Sequence, residues 1–175
     1  MGMTVYTDLV SGDELISDSF DLIDKEDVVY EVDCSMITKG GETFNTGANA
    51  SAEEADEGVE DGVQQVNNVV HSFRLEKVEG VYPTLKDYQN QFKVYLKKVV
   101  ALFKEEGKSE EEIKAWQTKV QNYFVKVIKP NFKHYDFYTG ESMNHEAMLL
   151  LLNYREDGVT PFFTIWKHPL KAVKV

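Results

Sequence analysis

The 175-residue chain carries a formal net charge of −11, is 42% hydrophobic and 12% aromatic, and contains one cysteine. A chain of this length suits one domain, 1–175, and buries enough apolar surface to fold without covalent staples. The acidic balance argues against general nucleic-acid binding through the phosphate backbone, and the lone Cys34 excludes an internal disulfide and a cysteine-paired zinc site.

The opening MGMTVYTDLV has no basic stretch followed by an apolar one, so no secretory leader is expected. Met1-Gly2 starts like a myristoylation signal, but Tyr6 stands where Ser or Thr is required. A single cysteine and no leader suggest a reducing compartment, cytosol or nucleus. The longest apolar run, Ala147 to Leu152, is too short to span a bilayer, so no membrane insertion is expected.

Residues 3–38 read as strands broken by turns at Ser11-Gly12-Asp13 and Asp24-Lys25-Glu26-Asp27. From Gly40 to Gly62 there is no basic residue and one aromatic, Phe44. Such a segment buries too little apolar surface to offset its ordering entropy, which predicts a long mobile acidic loop over about 40–62. Regular structure resumes between Val63 and Lys77, where Val66, Val69, Val70, Phe73 and Leu75 supply core.

Residues 84–129 predict an antiparallel helical hairpin. Thr84 with Asp87, and Ser109 with Glu112, have the spacing of capping boxes. Leu85, Tyr88, Phe92, Tyr95, Val99 and Phe103 recur at helical steps, Gly107 suits a C-cap, and a second stripe runs from Ile113 through Trp116 to Ile128. Pro130 is expected to end the second helix. Strands return at Tyr135–Tyr138 and Ala147–Arg155, the latter forming a hairpin with Phe162–Trp166 across Glu156-Asp157-Gly158. Strands before and after a helical pair give an α+β fold with the hairpin inserted.

No covalent chemistry emerges. His71, His134, His145 and His168 lack metal-ligand spacing, nucleophile and phosphate-loop motifs are absent, and Cys34 has no basic neighbour to activate it. Glu53, Glu54, Asp56 and Glu57 are hard oxygen donors for calcium. Their order does not match an EF-hand, so a solvated loop competes with weak calcium binding as the reading. No other cofactor is expected. Ser51, in the same segment, is a candidate phosphorylation site whose added charge would reinforce the loop.

Charge is unevenly placed. Residues 84–133 hold 11 Lys against 6 Asp or Glu, a balance of +5, and the rest of the chain stands at −16. Lys86, Lys93, Lys97 and Lys104, spaced 7, 4 and 7, fall on one side of a helix as a ridge about 27 Å long. Lys119 and Lys126 add to it from the second helix, with Lys129 beyond them. A solvated helix face must be polar anyway, but four lysines in line fit an acidic partner, either another protein's tail or this chain's own acidic segment.

GANASAEE (47–54) and FYTGESMNHEAMLLLLNYREDGVTPFFTIWK (137–167) resemble the two signatures of the translationally controlled tumour protein family, and VYTDLVSGDELISDSF is similar to its opening. The likeness covers nearly the whole chain, and VNNVVHSFRL with the IWKH ending looks most like the fungal branch. His145-Glu146-Ala147 departs from the family's usual Pro-Asp-Gly or Pro-Asp-Ala, and Met1-Gly2 is additional. The resemblance implies a β-tent core with a projecting helical hairpin, like that of small-GTPase exchange and chaperone proteins but without their zinc cysteines. It also implies a non-enzymatic, monomeric cytoplasmic protein associated with the cytoskeleton. The implied partners are tubulin and microtubules and the translation machinery. Growth control, protection from cell death, stress response and calcium binding are further implied roles. An alternative activity is guanine-nucleotide exchange on a Ras-like small GTPase, for which the resemblance nominates Glu14 as a contact.

Overall fold

The computed structural model describes residues 2–39 and 64–175. The predicted acidic loop, with Ser51, Glu53, Glu54, Asp56 and Glu57, lies outside the described residues.

The N-terminal strands are β1 (Thr4–Asp8), β2 (Glu14–Ser17), β3 (Ile23–Lys25), β4 (Val29–Asp33) and β5 (Met36–Lys39). After the undescribed stretch come β6 (Gln64–Asn67), the short helix α1 (Asn68–Phe73) and β7 (Glu76–Val78). The hairpin is α2 (Leu85–Glu105) and α3 (Glu110–Tyr123). Strands β8 (Asp136–Thr139), β9 (Leu150–Tyr154), β10 (Pro161–Trp166) and β11 (Leu170–Lys174) complete the order. They form an α+β fold. A six-stranded sheet runs β3-β4-β10-β9-β8-β7, a three-stranded sheet runs β11-β1-β2, and β5 and β6 form a ribbon. Each ladder is antiparallel.

Local chemistry sets the hairpin. The Thr84 hydroxyl accepts from the Asp87 amide at 3.2 Å and the Asp87 carboxylate accepts from the Thr84 amide at 3.2 Å. Ser109 and Glu112 repeat this at 3.1 and 3.0 Å, so both helices begin with reciprocal caps. At the end of α2, Gly107 (φ 90°) donates to Lys104 O and Lys108 donates to Phe103 O. That pair of bonds is a Schellman turn, and glycine takes its left-handed position without strain.

The hairpin lies on the sheet. Its buried stripe of Tyr88, Phe92, Tyr95, Val99 and Phe103 joins Leu150, Leu151, Phe163 and Ile165 in one core. Phe92 stacks on Trp166 of β10 at 5.3 Å, and Tyr88 on Phe137 of β8 at 5.1 Å.

Three features differ from the sequence expectations. Pro130 does not stop the second helix. The backbone widens to a π-helical turn over Phe124–Ile128, with Lys129 N donating to Phe124 O, and Pro130 falls in the first turn of a new segment, Lys129–Asn131. A residue without an N–H is tolerated there because that donor has no partner in a first turn. The predicted strand over 147–155 is shorter. Ala147, Met148 and Leu149 are buried without a ladder, and side chains take up part of their backbone. Met148 N donates to the Asp8 carboxylate at 2.9 Å, and Gln91 Nε2 donates to Ala147 O at 3.0 Å. Finally, β11 was not foreseen. It pairs with β1 over five residue pairs, joining the two ends of the described chain.

Candidate functional site

The capping boxes fix where α2 begins, and its aromatic stripe fixes which side faces the sheet. Lys86, Lys93, Lys97 and Lys104 are therefore exposed on the other side. None of the four has an ion-pair partner among the described residues. Lys98, off this row, pairs with Glu146 at 3.1 Å. A shallow cleft of about 500 Å³ opens along the row between Lys93, Val94, Leu96, Lys97, Val100 and Gln117. Charge thus borders an apolar floor, a combination that suits a protein segment better than a free ion.

Lys119 and Lys126 do not join this row. Lys119 Nζ donates to Asp27 Oδ2 at 2.6 Å, and Lys126 Nζ stands 3.5 Å from Glu26 Oε2. Both carboxylates come from the turn between β3 and β4, which Val28 N closes by donating to Lys25 O. Lys167, just past β10, adds bonds to Asp24 at 2.5 Å and Asp27 at 2.6 Å, and His168 Nε2 lies 3.8 Å from Asp27. In the sequence Asp24-Lys25-Glu26-Asp27 reads as a turn and nothing more. The available signal was the turn's chemistry: left-handed positions in a hairpin connection usually carry Asn or Gly, and in the three-residue connection Glu26–Val28 they carry Glu26 and Asp27, both at φ 57°.

Hydrogen bonds from Lys119 and then Lys167 hold the Asp27 carboxyl below the usual carboxylate range, and the Lys167 bond lowers Asp24. The bonds to Asp24 and Asp27 raise Lys167. The signs agree. What Asp27 contributes is present above the ordinary carboxylate range and drains as pH falls through its lowered folded value. What Lys167 contributes is present below the ordinary lysine range and drains as pH rises through its raised value. The network is intact between them. In an NMR titration, Lys119→Met with Lys167→Met is expected to return the Asp27 carboxyl towards the ordinary carboxylate value. An unmoved titration would mean that the lysines do not set it.

Glu14 opens β2 and is exposed. The turn that presents it is rigid. Asp8, 2% exposed, accepts from Val10 N, Ser11 Oγ and Met148 N, and burial raises its pKa against those bonds. Gly12 at φ 79° donates to Asp8 O. Asp13 accepts from Ser142 N at 3.2 Å and Ser142 Oγ at 2.6 Å, which ties the turn to the segment after β8. Close packing requires glycine there, because a Cβ on Gly140 would lie 2.4 Å from Asp13 Oδ2 and 2.5 Å from its Cβ. Glu14 and the α2 lysines belong to separate structural elements, and no contact joins them among the described residues.

Cys34 is buried, and burial pushes its thiol up to about 11, so it is protonated and unreactive near neutrality. Among the described residues no group of His, Cys, Asp and Glu is placed to hold a metal, and no helix is long and apolar enough to cross a membrane.

A family model described as translationally controlled tumour protein matches residues 3–171. A translationally-controlled tumor protein homolog from Neurospora crassa is 53% identical over 173 residues, which is 99% of this chain and all of that protein. The Saccharomyces cerevisiae homolog is 45% identical with the same coverage. Among solved structures, the translationally controlled tumor-associated protein p23fyp from Schizosaccharomyces pombe superposes with a TM-score of 0.77 at 44% identity, covering 98% of this chain and 99% of that one.

Proposed function

The chain belongs to the translationally controlled tumour protein family, and from that premise we propose that it is a non-enzymatic cytoplasmic interaction protein that binds acidic protein segments through α2, with the tails of tubulin as the leading partner. The supporting observation is the row of four exposed lysines, Lys86, Lys93, Lys97 and Lys104, with no partner among the described residues in a chain of net charge −11. Such a row attracts an acidic segment over a distance set by the salt concentration. The adjoining cleft gives apolar side chains a place to rest. The translation machinery, the other partner implied by family resemblance, would use the same surface if it offers an acidic segment.

The test is titration of a glutamate-rich tubulin-tail peptide against wild type and K93E/K97E. The double variant is expected to bind at least about tenfold more weakly at low salt. Its melting temperature should be unchanged, because both side chains are exposed. Equal affinity would reduce the row to a solvated helix face.

A second reading is nucleotide exchange on a Ras-like GTPase through Glu14. What favours it is the rigidity of the turn, with Asp8 buried beneath it and Asp13 tied to Ser142. A turn whose backbone is already tied down loses little entropy on meeting a partner. Glu14→Ala is expected to abolish any acceleration of nucleotide release. The absence of acceleration by wild type across a GTPase panel would remove this reading.

A further inference from the structure

We infer that the second arm of the hairpin, α3 with the π-helical turn that follows it, carries a second surface for acidic peptides, built on Lys119 and Lys126, and that the chain's own β3–β4 turn occupies it in the free protein. The inference rests on reading the hairpin as an acidic-partner surface and extends that reading to its other helix.

Three observations carry it. The turn's two tip residues each reach across to this arm, Asp27 to Lys119 of α3 at 2.6 Å and Glu26 to Lys126 of the π-helical turn at 3.5 Å. The two lysines stand seven residues apart on the same arm of the hairpin, and the turn already acts as a short acidic ligand with one carboxylate for each. Second, the contact is open to exchange. The side chains of Lys119 and Asp27 are 45% and 52% exposed, those of Lys126 and Glu26 are 70% and 52% exposed, and solvent screens such pairs. Third, the turn carries these carboxylates at a cost. Glu26 and Asp27 both sit at φ 57°, where Asn-Gly would sit without strain. The pairs that hold the turn on the two lysines are screened by solvent, which leaves it open to displacement by a competitor of higher charge.

The internal ligand also describes the external one. Asp24, Glu26 and Asp27 lie within four residues, and Lys167 fixes Asp24 and Asp27 from the far side. A partner that replaces the turn is therefore a short acidic stretch of polypeptide with closely spaced carboxylates. Once the turn is displaced, basic surface is available on both arms of the hairpin.

The test uses the full chain and a dye-labelled decaglutamate peptide at low ionic strength, read by fluorescence anisotropy. E26Q/D27N removes the competing charges while keeping side-chain shape. It is expected to bind about fivefold more tightly than wild type, because a site is freed that was mostly filled. The gain should vanish in E26Q/D27N/K119M/K126M. E76Q/E156Q, which removes two exposed carboxylates outside the network, measures the general charge effect and should give a smaller gain. E26N/D27G, whose residues suit the left-handed backbone, should show the same gain with an equal or higher melting temperature. Unchanged affinity in a folded E26Q/D27N would overturn the inference, as would a gain that survives loss of the two lysines or one matched by E76Q/E156Q. Loss of the α2 reading has a different signature: K93E/K97E would bind as wild type does, while the E26Q/D27N gain and its dependence on Lys119 and Lys126 persist.

Discussion

Replacing Phe92 by alanine is expected to destabilise the protein by about 3–5 kcal/mol, the range for emptying a large aromatic site in a packed core. Phe92 is 4% exposed and stacks on Tyr88, Phe124 and Trp166 at 5.9, 5.2 and 5.3 Å. It therefore joins α2, the π-helical turn and β10 at one point. The surrounding rings are rigid and cannot collapse into the space, which places the cost at the high end. For a chain of this size the melting temperature should fall by roughly 10 °C. In urea the midpoint should drop at unchanged slope, since the hairpin would remain folded against the sheet. A loss below about 1 kcal/mol would mean that the hairpin is not docked through this residue. The result bears on function because docking orients α2: with the aromatic stripe held on the sheet, the lysine row has to face solvent.

The second large effect is expected at Gly140. A methyl group there would meet the Asp13 side chain at 2.4–2.7 Å, and Asp13 Cβ is among the atoms met, so rotation of a flexible end does not relieve the contact. Gly140→Ala should cost about 2 kcal/mol as an overpacking change. It should also break the bonds from Ser142 to Asp13. The sensitive readout is the Ser142 amide in an NMR spectrum, together with its hydrogen-exchange protection. Any activity that depends on Glu14 should fall with it, because the same turn positions both residues. Binding of acidic peptides to α2 should be unchanged. A variant as stable as wild type, with the Ser142 amide unmoved, would contradict the close packing described for this turn.

The hairpin was legible in the sequence because its rules are local. Reciprocal caps at Thr84 and Asp87 and at Ser109 and Glu112, a glycine at 107 and aromatic residues at helical steps all act within a few residues of one another. The exposed row Lys86, Lys93, Lys97 and Lys104 followed from the same periodicity. What escaped was decided by partners far away in the chain. Lys119 looks like a further member of the basic surface until Asp27, 92 residues earlier, is brought to it. Ala147–Leu149 reads as strand because its residues are apolar, but Met148 N and Ala147 O are taken up by Asp8 and Gln91, which no periodicity announces. The β1–β11 ladder joins the two ends of the described chain, and LKAVK alone gives a weak strand pattern. Pro130 misled for a different reason. Its rule holds for a regular α-helix, and the π-helical turn before it resets the register.

The most direct test of the central claim, that the α2 lysine row is the surface for acidic partners, is microtubule co-sedimentation across a salt series with wild type beside K93E/K97E. The account predicts that wild-type protein pellets with microtubules at low salt and is released as salt rises, and that K93E/K97E stays in the supernatant throughout while melting as wild type does. Equal pelleting of the two proteins at low salt would contradict it.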